Sequence, residues 1–84
     1  MNNLIIIQTD ELYVKTGNAK LNDLDFYIQQ ALFLAGSGND VVLTGAGPIW
    51  LYLKIAHALH GKVRKLIYRS PVAGDVLIFN HSPE

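Results

Sequence analysis

The spacing of apolar positions changes along the chain, and each change predicts an element. Leu4-Ile5-Ile6-Ile7 is an unbroken apolar run rich in β-branched residues, which predicts a strand buried on both faces and central in a sheet. Thr9-Asp10-Glu11 supplies turn residues, so Leu12-Tyr13-Val14 reads as the short second strand of a hairpin, closed by Thr16-Gly17-Asn18. From Leu21 the period lengthens to about three and a half, and Leu21, Leu24, Ile28, Ala31, Leu32 and Ala35 fall on one stripe. That stripe predicts a helix, capped by Asn22 with Asp23 and Asp25 in its first turn and ended by Gly36-Ser37-Gly38-Asn39.

Val41-Val42-Leu43 is too short for a helix and reads as a strand running into the turn Thr44-Gly45-Ala46-Gly47. Pro48 suits the first helical position, and an amphipathic helix follows through Ile49-Trp50-Leu51 to His60, stopped by Gly61. Val63 to Arg69 and Asp75 to Asn80 have strand composition, and Ser70-Pro71-Val72-Ala73-Gly74 joins them as a hairpin loop of about five residues. The predicted order is ββαβαββ in a single domain over residues 1–84. The fold class is α+β with α/β-like character: a mixed sheet, a central parallel βαβ unit and two covering helices.

Half of the 84 residues are apolar, more than one sheet and one helical layer need to bury, so surplus apolar surface predicts a homo-oligomer. The chain has no cysteine, which excludes disulfides and thiolate metal sites and makes a cytoplasmic protein the expectation. No apolar stretch has membrane-spanning length, and Leu4 to Ile7 lacks the flank and length of a signal peptide. The net charge of zero divides unevenly: residues 1–40 carry 2 − 5 = −3 and residues 41–84 carry 5 − 2 = +3. A basic half beside a glycine turn favours an anionic ligand, yet it is too mild for duplex nucleic acid, which demands several phosphate contacts.

The glycine turn lies where parallel strands end, the edge at which open α/β sheets bind ligands. Its glycines permit a sharp turn and close approach, and the N–H groups opening the next helix suit a phosphate or carboxylate. Read locally, Gly45-Ala46-Gly47-Pro48 is equally a tight strand-to-helix connection, with neither a P-loop lysine nor a dinucleotide fingerprint. His57 and His60 share one helical face, where a solvated pair favours the helix dipole; they can also serve as acid and base or share a metal. A metal needs a third ligand, which nothing local supplies; His81 is the remaining histidine, with Asp75 an acid nearby in sequence. Trp50, Leu53 and Leu59 read as core, although Trp50 at a helix start can stack on a base, and Thr44 and Ser70 offer hydroxyls to a phosphate. The histidines lie roughly 15 Å from Pro48 along the helix at about 1.5 Å per residue. One small anion therefore cannot meet both groups within one subunit.

Gly45-Ala46-Gly47-Pro48-Ile49-Trp50-Leu51, then Ala56-His57, His60, Tyr68 and His81-Ser82, resembles the central motif of the small CRISPR-associated ring nucleases of the Csx type. The resemblance covers roughly residues 40–82. It implies a type III CRISPR protein that binds a cyclic oligoadenylate, cyclic tetra-adenylate, at an assembly interface between subunits, with Mn²⁺-assisted ring cleavage in active members. Carried over by position, His60 and His81 would be the catalytic or metal-associated histidines and His57 a supporting one. Gly45, Gly47 and Trp50, with Ala46 and Pro48 between them, would form the turn that meets the ligand; Arg69 and Ser70 are ligand candidates by their own chemistry, a guanidinium and a hydroxyl for phosphate. The family's Tyr-Asp-Pro-Arg-Leu-Gly is here Tyr68-Arg69-Ser70-Pro71-Val72-Ala73-Gly74, so its acid has become Arg69, and the chain stops at Glu84, short of the family's tail. Manganese prefers oxygen ligands, so binding is the firmer expectation and cleavage or sequestration both remain open. Two other classes compete: a small protein-interaction module with a structural glycine turn, and a manganese-dependent exonuclease on linear RNA, which would need a wider basic surface.

Overall fold

The computed structural model describes residues 3–14 and 17–81. Lys15, Thr16, Ser82 and Glu84, which enter the sequence argument, lie outside the described residues. The elements run β1 (Leu4–Gln8), a 3-10 turn (Thr9–Tyr13), a short 3-10 turn (Leu21–Asp23), α1 (Leu24–Ala35), β2 (Asp40–Thr44), α2 (Ile49–Leu59), β3 (Lys65–Ser70) and β4 (Gly74–Asn80). The sheet order is β1-β2-β3-β4, with β1, β2 and β3 parallel and β4 antiparallel to β3. The α+β class, the mixed sheet, the parallel βαβ unit and the two covering helices all stand as read.

Both helices pack on one face of the sheet. Ile7, Val41, Leu43 and Leu66 from the strands join Tyr27, Ala31 and Ala35 of α1 and Leu51, Ile55 and Leu59 of α2 in one core. Leu51, Ile55 and Leu59 are four apart, hence on one helical face, and none of them is exposed. Burying each contributes about 1.5–3 kcal/mol before entropy is counted. The opposite sheet face has no helical layer among the described residues, and Leu4, Ile6 and Leu77 stand exposed there beside the buried Val42.

Four expectations are corrected. Leu12-Tyr13-Val14 is not a strand: Thr9–Tyr13 coils into a 3-10 turn that drops Thr9 and Leu12 into the interior. Burial of both from one strand would require them on one face, which their odd separation forbids in a strand with a two-residue period. Second, β1 is an edge strand, because each crossover advances one position the same way and leaves the first strand at the rim. Third, α1 starts at Leu24 with Asp23 as cap and no side-chain capping bond, so Asn22 does not cap it; Leu21 is exposed and Tyr27 carries the burial instead. Fourth, the β3–β4 hairpin closes through Pro71, Val72 and Ala73 alone, because Ser70 and Gly74 are still paired.

Candidate functional site

The glycine turn between β2 and α2 is clasped by the 3-10 turn after β1. The Ala46 N–H donates to Asp10 Oδ1 at 3.2 Å, and the Tyr13 hydroxyl donates to the Ala46 carbonyl. The Tyr52 hydroxyl donates to the Gly45 carbonyl at 2.6 Å and accepts from the buried Thr9 Oγ1 at 3.2 Å. This packing explains the glycines. Gly45 sits at φ +106°, and a Cβ there would lie 2.7 Å from the Thr9 backbone nitrogen, while one on Gly47 would lie 2.9 Å from Thr9 Oγ1. The tightness of the turn is therefore set by the protein's own chain. One amide expected to meet an anion, that of Ala46, already holds the Asp10 carboxylate.

Pro48 is the N-cap of α2, extended at ψ 151°, rather than its first helical residue, and no side chain caps the helix. No acid lies in its first turn, so the negative charge nearest its start in this turn is Asp10, on the Ala46 amide. Trp50 is half-buried against the core, whereas Leu53 is 66% exposed, contrary to its reading as a core residue. Leu53 and Ile49 instead edge an apolar groove of about 610 Å³ between α2 and the β3–β4 hairpin. Gly45, Ala46 and Gly47 form one end of it, with Tyr52, Tyr68 and Ile78 among its walls. The Tyr52 and Tyr68 rings meet edge to face at 5.3 Å.

At the far end of α2 the structure brings His60 and His81 together. Their Nε2 atoms lie 2.9 Å apart, so one ring donates and the other accepts. His60 is the C-cap of α2, and His81, just past β4, is fixed by its N–H to the Arg64 carbonyl at 2.7 Å. The Phe79 ring packs edge-on against His60 at 5.0 Å, giving the pair an apolar floor. His57 is exposed one turn back on α2 and stands outside this pair.

Arg69 meets Asp75 across the hairpin through two bonds of 2.8 and 3.3 Å. A carboxylate thus does stand beside the position after Tyr68, supplied from β4. The bidentate bond to Arg69 holds the Asp75 carboxyl below the usual carboxylate range. Ser70 Oγ accepts the Val72 and Ala73 N–H groups at 3.1 and 3.0 Å, so its hydroxyl oxygen shapes the loop. Arg64 forms a second bidentate pair with Asp40 at 2.8 and 2.6 Å, which lowers the Asp40 carboxyl likewise, and Lys65 stands 4.0 Å from the same carboxylate. Three of the five cations in the basic half are thereby engaged.

Among the described residues no group of three or more His, Asp or Glu side chains converges to hold a metal. Two imidazole nitrogens 2.9 Å apart supply at most two ligands, both nitrogen, so one chain does not offer the oxygen-rich set that manganese takes. Thr9, Asp10, Tyr13 and Tyr52 were not singled out from sequence. Each acts on residues 33–43 positions away, or, for Tyr52, through a backbone carbonyl, and no local spacing records that.

Comparison with known proteins gives one finding. The family described as CRISPR-associated protein (Cas_csx3) matches residues 29–84, two thirds of the chain. Searches of curated proteins and of solved structures return no match. No helix is long and apolar enough to cross a membrane among the described residues.

Proposed function

Since the chain belongs to the Cas_csx3 family of CRISPR-associated proteins, we propose that it binds a cyclic oligoadenylate of type III CRISPR signalling in the cytoplasm and lowers its concentration. Cyclic tetra-adenylate is the ring to test first. The observation that carries this reading is the His60–His81 pair: residues 21 positions apart, on different elements, meeting nitrogen to nitrogen at an exposed helix end. An imidazole pair with one donor and one acceptor is the equipment for general acid–base attack on a phosphodiester.

The groove supplies what an adenine needs. Its walls are apolar with tyrosine rings at the edge, and base stacking on aromatic faces contributes about 1–3 kcal/mol per base. The N–H groups at the uncapped start of α2 favour phosphate nearby, and Arg69 reaches a phosphate only by giving up its bonds to Asp75. For cleavage, the ring enters by parting the two imidazoles, at the expense of one exposed hydrogen bond of about 1 kcal/mol. One imidazole then takes the proton of a ribose 2′-hydroxyl as its oxygen attacks phosphorus. The other, which must enter the step as an imidazolium, gives its proton to the departing 5′-oxygen, leaving a linear chain with a 2′,3′-cyclic phosphate. Manganese takes no part in this course, and the donors among the described residues of one chain do not fit it.

The glycine turn that ends the groove and the histidines occupy opposite ends of α2, so a ring that uses both spans two subunits, and a homodimer or higher assembly is part of the proposal. Incubation with labelled cyclic tetra-adenylate, with and without Mn²⁺, tests it. Tight retention of the intact ring identifies a sequestering protein, conversion to linear product a ring nuclease, and failure to do either removes the reading.

A further inference from the structure

His81 stands one residue beyond β4, past Asn80, whose partner Lys65 opens β3. Its backbone N–H donates to the Arg64 carbonyl at 2.7 Å, so the placement of its ring depends on where Arg64 is held. A single hydrogen bond contributes only about 1 kcal/mol net, too little to fix a chain segment unless the acceptor is itself rigid. Arg64 is held at both its backbone and its side chain. Its N–H donates to the Asn39 carbonyl at 2.9 Å, and its Nε and Nη2 donate to the two Asp40 carboxylate oxygens at 2.8 and 2.6 Å. The planar guanidinium fork matches a carboxylate in one orientation, so these bonds to consecutive residues leave the Arg64 peptide little freedom.

The segment that does the holding is anchored in turn. Asn39 Nδ2 donates to the Ala35 carbonyl at 2.9 Å, and its Oδ1 accepts the Asn3 N–H at 3.3 Å. One residue earlier, the Gly38 N–H donates to the Lys62 carbonyl at 2.9 Å. Residues 38–40 therefore grip residues 62–64, the end of the connector that begins at His60. The Lys62 and Val63 N–H groups both donate to the Leu59 carbonyl, which ties the same connector to the end of α2. Both imidazoles thus depend on one braced segment, His60 at its start and His81 on the carbonyl at its end.

We infer that Asp40 is a positioning residue for the His60–His81 pair: its carboxylate fixes Arg64, whose carbonyl sets the His81 ring with Nε2 against His60 Nε2. Asp40 acts through Arg64 rather than on the imidazoles. The Arg69–Asp75 pair provides the comparison, a bidentate bond of the same chemistry at the opposite end of β4 from His81. Any consequence for ring opening rests on the function proposed above; the positioning itself does not.

In nitrogen-isotope-labelled protein, a hydrogen bond between two imidazoles transmits a scalar coupling from one Nε2 to the other, which reports their contact without any ligand. Wild type in mildly alkaline buffer is expected to show this coupling between His60 and His81. Asp40→Ala is expected to lose most of it, whereas Asp75→Asn keeps it, with circular dichroism unchanged in both. A merely stabilising pair would lower the melting temperature in either variant and leave the coupling of the folded protein intact. Should Asp40→Ala fail to fold, Arg64→Lys, which keeps the charge and gives up the fork, is expected to show the same loss. A wild type without the coupling, a loss absent from the Asp40 and Arg64 variants, or an equal loss in Asp75→Asn overturns the inference. Where wild type opens cyclic tetra-adenylate, Asp40→Ala should lower kcat about ten- to a hundredfold with KM within a few fold, because misplacing a reacting group by about 1 Å costs rate on that order. An unchanged kcat beside a lost coupling overturns the role in ring opening. If wild type opens no ring, the cleavage reading falls and the coupling still decides the positioning.

Discussion

His60 and His81 meet at 2.9 Å, Nε2 to Nε2, although α2 and β4 present them from opposite directions. His60 closes the helix, and the Arg64 carbonyl pins His81 after the strand. In the proposed cleavage these two imidazoles serve as the acid and the base toward the phosphodiester. Replacing either by alanine removes a proton-transfer partner worth about 10²–10⁴-fold in rate. If the protein opens the ring as proposed, His60→Ala and His81→Ala should lose that activity by at least about a hundredfold, with affinity for cyclic tetra-adenylate within a few fold of wild type. Product quantified by chromatography over a time course checks this, and unchanged turnover in either variant sinks the assignment. His57→Ala, outside the pair, should retain most of the rate.

Gly45 and Gly47 make a separate, structural prediction. The positive φ of Gly45 and the Thr9 nitrogen 2.7 Å from its missing Cβ together forbid a side chain, since backbone cannot step aside as a flexible tip can. Gly45→Ala should cost about 2–3 kcal/mol of stability, the sum of a strained backbone and a clash. Gly47→Ala meets side-chain atoms alone, the Thr9 hydroxyl at 2.9 Å and the Tyr13 hydroxyl at 3.2 Å, and should cost about 1 kcal/mol, relieved in part by Thr9→Ala. Urea denaturation of the variants measures both; equal costs would show that the turn yields more than its packing implies.

How much of this was legible beforehand follows the range of each interaction. The helices, the parallel unit and the closing hairpin were readable because local apolar period and turn residues encode them: Leu51, Ile55 and Leu59 recur at helical spacing, and Gly74 ends a loop. β1 misled because an apolar run signals burial without saying by what, and Leu4 and Ile6 face outward where the described residues supply no covering layer. Leu12 misled because a 3-10 turn leaves no mark that distinguishes it from a short strand. At the site, the resemblance named His60 and His81 from their motif. The Asp10, Tyr13 and Tyr52 clasp stayed invisible because its partners lie far apart in the chain or on backbone atoms.

Stability should fall off at both ends of the pH range, for opposite reasons. Asp40 and Asp75 have carboxyls lowered by their bonds to Arg64 and Arg69. Each contributes stability present above its unfolded value of about 3.9 and lost as pH falls through its lower folded value. Tyr13 is raised, first by burial and then by the Asp10 charge. Its contribution is present below its unfolded value of about 10 and lost as pH rises through the higher folded one. Melting temperatures across pH 2 to 12 should show both limbs. Asp40→Asn should flatten the acid limb and Tyr13→Phe the alkaline one, each leaving the other limb in place; an acid limb unchanged in Asp40→Asn and in Asp75→Asn would remove the two pairs as its source.

Asp10 decides whether the glycine turn touches the ligand at all. Its carboxylate holds the Ala46 N–H at 3.2 Å, placing a negative charge where the family resemblance puts a phosphate. Asn at this position keeps an oxygen acceptor for that amide and removes the charge. Two unit charges about 4 Å apart interact by about 1 kcal/mol in water and by more beside a protein surface. If a ring phosphate approaches the turn, Asp10→Asn should bind cyclic tetra-adenylate about five- to tenfold more tightly, with the gain shrinking as salt screens the repulsion. Calorimetry at two ionic strengths measures it. Identical affinities in Asp10→Asn and wild type would place the phosphates elsewhere and leave Gly45-Ala46-Gly47 with the purely structural role that Thr9, Tyr13 and Tyr52 already give it.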